Sequence, residues 1–141
     1  MDDLRTVQAP LKEKYRLEPD AAVVTLTARG EIGEGISCSV QTGQALVKAG
    51  LHSATGGSGA LACSGDMLLE ALAACAGVTV NAVATATGIE LRGGSVNVEG
   101  DLDFRGTLGV SKEAPVGFRS IRVRFDLETD ATDEQLDTWC A

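Results

Sequence analysis

Two apolar spacings divide this chain. Residues 22–27 (Ala-Val-Val-Thr-Leu-Thr) and 36–40 (Ile-Ser-Cys-Ser-Val) are β-rich, with Gly30, Gly33 and Gly35 between them, which predicts two strands joined by a flexible turn. Residues 43–51 have room for a further short strand, and 52–59 (His-Ser-Ala-Thr-Gly-Gly-Ser-Gly) read as a loop. From Ser64 to Gly88 the pattern changes: an N-cap serine, Asp66 in the first turn and a closing glycine frame about six helical turns. Nearly every face of this stretch is apolar or small, so it is expected to be buried on most of its circumference. Further on, Val96, Val98, Leu102 and Phe104 alternate with Asn97, Glu99, Asp101 and Asp103. Ile121, Val123, Phe125 and Leu127 alternate with Arg122, Arg124 and Asp126 in the same way. Each predicts a strand with one buried face. A glycine-rich connection, 105–117, links them, and Thr132 to Gln135 has the capping-box form that opens a last, short helix.

The order is strands, long helix, strands, short helix, an α+β arrangement in a single domain over residues 1–141. Residues 1–20, with Pro10, Pro19 and little periodicity, read as a loosely held N-terminal arm. Apolar residues make up 44% and aromatic ones only 4%, so small side chains must fill the core. That composition suits close backbone approach, or a second subunit that completes the interior.

A formal net charge of −8 argues against nucleic acid as a partner, since phosphate contacts need Lys and Arg. No apolar run reaches the ~20 residues of a spanning helix, and Asp2, Asp3 and Arg5 stand where an export signal would begin. A cytoplasmic protein without membrane attachment is expected. In that setting Cys38, Cys63, Cys75 and Cys140 are free thiols. They contain no Cys-x-x-Cys, and with His52 the sole histidine no metal or cofactor is expected.

Cys75 lies mid-helix in Leu-Ala-Ala-Cys-Ala-Gly. It reads either as a small buried hydrophobe, the commoner case, or as a reactive thiol. Cys63, just ahead of the helix, is an incidental loop residue or a thiol favoured by the helix N-terminus. Cys38 belongs to a strand. His52 is a polar loop residue with a possible proton-carrying role. Arg29 is an exposed turn arginine or a charge partner for a thiolate. The run 56–59 (Gly-Gly-Ser-Gly) lacks the Gly-Lys-Ser/Thr ending of a phosphate loop.

One segment is more specific. His-x-Ala-x-Gly-Gly from His52, followed by Gly-Asp-Met-Leu-Leu-Glu-Ala-Leu-Ala-Ala-Cys ending at Cys75, resembles the signature of the OsmC/Ohr family, and the resemblance extends over roughly residues 20–139. It implies antiparallel sheets wrapped around long central helices in an intertwined homodimer, with sites at the subunit interface. It implies a stress-response peroxidase: Cys75 reduces an organic hydroperoxide, a second cysteine closes a disulfide, and a dithiol reductant reopens it. Cys140 is the candidate for that second cysteine, with Arg29 and Asp66 as activators. The family's second cysteine lies further into the final helix, so this chain is short there. Its peroxidases carry a glutamate about ten residues before the first cysteine, where this chain has Gly65. The alternative is a non-catalytic dimer of the same fold that binds a small apolar ligand.

Overall fold

In a computed structural model, residues 4–33, 38–40 and 49–139 are described. The chain is mixed helix and antiparallel sheet around one long helix. Helix α1 (Leu4–Leu17) precedes strands β1 (Val23–Ile32) and β2 (Cys38–Val40). Short strands β3 (Ala49–Gly50) and β4 (Ala62–Cys63) lead into α2 (Ser64–Thr87). Strand β5 (Leu91–Asp103), α3 (Phe104–Thr107), β6 (Phe118–Thr129) and α4 (Asp133–Trp139) follow. The main sheet has the order β2-β1-β5-β6, and β3 and β4 pair in parallel. Strand β1 meets β2 antiparallel, Gly30 opposite Val40.

The residues cluster into two compact units: 1–27, 43–69 and 99–122 form one, and 28–42, 70–98 and 123–141 the other. The first has Tyr15, Leu26, Leu69, Leu102 and Phe104 in its core; the second has Ala73, Val80, Ala84, Val96 and Val98. Along β5, Val96, Val98, Gly100 and Leu102 are buried while Asn97, Glu99 and Asp101 between them are not, the period of a half-buried strand. On the polar side, Thr25 donates to Asp101 at 2.6 Å and Arg122 holds Asp101 at 2.5 and 3.0 Å. In the second unit Asn97 donates to Asp126 at 2.7 Å.

Helix α2 ends as the sequence predicts. Gly88 takes φ +70°, its amide donates to the Thr85 carbonyl at 3.3 Å and that of Ile89 to Ala84 at 3.0 Å. These are the two bonds of a Schellman cap, which glycine adopts without a Cβ penalty. The predicted capping box of α4 also forms: the Gln135 amide donates to Thr132 Oγ1 at 3.3 Å and the Thr132 amide to Gln135 Oε1 at 2.9 Å.

Four expectations are corrected. The supposed arm holds α1, because Val7, Leu11 and Tyr15 recur at helical spacing and Tyr15, which is buried, donates its hydroxyl to the Ala54 carbonyl at 2.7 Å. Pro10 sits inside α1 without ending it. Strand β1 runs through Gly30, which pairs with β2 and so does not break it. Helix α2 is long and apolar enough, by length and composition, to cross a membrane, with 33% of its most apolar window buried; Asp66 and Glu70 interrupt the apolar run but not the helix. Finally, Ile121, Val123 and Phe125 are 41%, 39% and 38% exposed on the face expected to be covered.

Candidate functional site

The side chains of α2 sort by the 3.6-residue period. In the second unit, Ala73, Gly77, Val80 and Ala84 form the buried side, packed close because they are small. Ala71, Cys75, Val78 and Thr79 are exposed. The sequence places Cys75 on a nearly all-round apolar helix and so predicts a buried thiol; in the chain it is a free, exposed cysteine. Among the described residues, only the side of α2 that carries Ala73, Gly77, Val80 and Ala84 is covered.

Cys75 opens on a groove of about 600 Å³. Leu72, Ala76, Thr79 and Val83 continue its floor along α2, Val123, Phe125 and Leu127 of β6 form one wall, and Leu136 and Trp139 of α4 form another. The lining is apolar apart from Thr79 and Arg124. Alternation along β6 explains which residues arrive there, since Val123, Phe125 and Leu127 share one face. Such a concave apolar site beside a nucleophilic sulfur can hold an apolar molecule against it.

The other candidates lie elsewhere. Arg29 is not among the groove residues: its Nε donates to Glu31 Oε1 at 2.7 Å and its Nη1 to Asn97 Oδ1 at 3.3 Å, on the polar side of the sheet. It borders a second, polar depression of about 640 Å³ with Glu31, Ser95, Asp126 and Glu128. Asp66 occupies the first turn of α2. It lies nine positions before Cys75 in the sequence. Cys63 is the last residue of β4 and half-buried. Cys38 is in β2, and Cys140 lies outside the described residues.

The His52 motif has a local explanation. His52 caps a short 3-10 turn, Ser53–Thr55, its Nδ1 accepting from the Ala54 amide at 3.0 Å. Its ring stacks on Phe104, centroids 5.2 Å apart. Gly56 closes the turn at φ +90°. A Cβ on Gly57 would overlap the Leu51 carbonyl oxygen and lie 2.5 Å from its carbon. The Gly-Gly pair is thus a backbone requirement, not a phosphate cradle.

One buried charge escaped the sequence reading. Alternation puts Asp103 on the polar face, yet its side chain is 1% exposed. It accepts from Arg105 Nε at 3.0 Å and Nη2 at 2.6 Å, and from the Arg105 amide at 3.1 Å. The Arg105 guanidinium holds the Asp103 carboxyl below the usual carboxylate range despite its burial. An Asp two residues before an Arg, where a strand turns into a helix, was the available signal, since Asp is a favoured cap.

Comparison with known families gives one result. The model of a family described as OsmC-like protein matches residues 57–141, more than half of the chain. A search of curated proteins found no match.

Proposed function

Since the chain belongs to the OsmC-like family, and since its Cys75 thiol is exposed at an apolar groove, we propose that it is a thiol-dependent peroxidase for organic hydroperoxides. The exposed sulfur at the groove carries the reading. The Cys75 thiolate attacks the distal peroxide oxygen, the O–O bond breaks, and the alkoxide takes a proton to leave as an alcohol. Cys75 is then a sulfenic acid. The Cys140 thiol displaces that oxygen as water and forms a disulfide, which a dithiol reductant returns to two thiols. The apolar walls favour an organic hydroperoxide over hydrogen peroxide.

The protein works in the cytoplasm as an intertwined homodimer. Supporting a second copy are open apolar residues outside the groove: Met67 and Leu68 in one unit, Val78 in the other. Arg29 is not among the groove residues of its own chain, so any help it gives the thiol comes from the partner copy. One observation favours the non-catalytic alternative, a dimer that binds a small apolar ligand. A Cβ on Gly65 would meet Leu26 Cδ1 at 2.9 Å and Leu102 Cδ1 at 3.4 Å, so a glutamate where the family's peroxidases carry one would have to displace those leucine ends.

The test is turnover of cumene hydroperoxide with dithiothreitol. Wild type is expected to consume it and Cys75→Ser to fall to the background rate; equal rates for the two proteins would leave only the ligand-binding reading.

A further inference from the structure

The end of β6 is tied down firmly. Arg92 grips Asp130 with two bonds, 2.6 and 2.9 Å, and Thr129 donates its hydroxyl to the Glu90 carbonyl at 2.7 Å. The Ala131 amide donates back to Thr129 Oγ1 at 3.2 Å. Beyond Ala131 these ties stop. Among the described residues, every hydrogen bond of α4 is local: the box between Thr132 and Gln135, Leu136 amide to Thr132 carbonyl at 3.0 Å, and Thr138 hydroxyl to Glu134 carbonyl at 2.9 Å. No residue of α4 is buried.

Leu136 and Trp139 of α4 sit three residues apart and both line the Cys75 groove. Those two side chains leave about 600 Å³ open, so an apolar guest would give them contacts they lack.

We propose that α4 is a lid hinged at Ala131 and Thr132, and that Leu136 and Trp139 set which apolar molecules are retained beside Cys75. The inference rests on the reading of the groove as the substrate site. A guest bulky enough to reach α4, such as an aryl-substituted hydroperoxide, closes the lid on itself. A small one leaves it loose.

Trp139 is the only tryptophan in the chain, so it reports the lid directly. The probe is 2-phenyl-2-propanol, the alcohol left from cumene hydroperoxide, added to the full chain. Its binding should shift Trp139 emission to the blue and lower acrylamide quenching about twofold, as the indole leaves water. Leu136→Ala should raise KM for cumene hydroperoxide roughly tenfold more than KM for tert-butyl hydroperoxide, the scale of a lost apolar pocket contact. If saturation-transfer NMR shows the alcohol bound while emission and quenching stay fixed, the lid is refuted and the groove stands. An absence of binding overturns both. An unchanged KM ratio in Leu136→Ala overturns the specificity role alone.

Discussion

Gly57→Ala isolates the backbone requirement in the His52 loop, with Gly59→Ala as its internal control. At Gly57 the added methyl overlaps the Leu51 carbonyl and lies 3.0 Å from the His52 carbonyl oxygen. Both obstacles are backbone, so neither can rotate away. The His52 carbonyl accepts from the Thr55 amide at 2.9 Å, the Gly57 amide at 3.1 Å and the Thr55 hydroxyl at 2.9 Å. Thr55 is itself buried, and its carbonyl takes a bond from Gln8 at 2.8 Å. Overpacking alone costs about 1–3 kcal/mol, and disturbing one or two of these bonds adds about 1 kcal/mol each. The expected loss is about 3–4 kcal/mol. Gly59 has φ +72° and nothing within 4 Å of an added Cβ, so alanine there meets only the left-handed penalty, about 1 kcal/mol. A difference of about 2 kcal/mol corresponds to about 6 °C in Tm for a chain of this size. Thermal and urea unfolding of the two variants measure it. Equal losses, or a larger one at Gly59, would refute the steric account of the Gly-Gly pair.

Asp103→Asn should flatten the acid limb of the stability curve. Because Arg105 lowers the folded-state pKa of Asp103, the carboxylate's contribution is complete above the unfolded value of about 4 and drains away as pH falls toward the folded one. Urea midpoints from pH 5 down to pH 2 should therefore converge between wild type and variant, and a constant gap would contradict it. Cys140→Ser should stop multiple turnover while leaving the first oxidation of Cys75, visible as a dimedone-reactive sulfenic acid; sustained turnover would remove Cys140 from the cycle.

The long helix, its glycine cap, the alternating strands and the capping box were legible because each is a local pattern carried by neighbouring residues. The covering of α2 was not, since periodicity shows that Ala71, Cys75 and Val78 are apolar but not whether this chain or another covers them. Helix α1 was hidden by Pro10, which reads as a breaker; Tyr15 holds it through a residue 39 positions away in sequence. Of the candidate site, the motif led to Cys75. The groove was unreadable, because it joins α2 to Phe125 and Trp139, whose nearness depends on tertiary packing. Asp103 was misassigned because a strand's alternation lapses where the chain turns into α3.

The lone pair that His52 Nδ1 gives to the Ala54 amide leaves Nε2 as the ring's donor. A replacement that keeps a flat ring but offers no acceptor at that point, such as phenylalanine, would leave the amide without its partner where the turn begins.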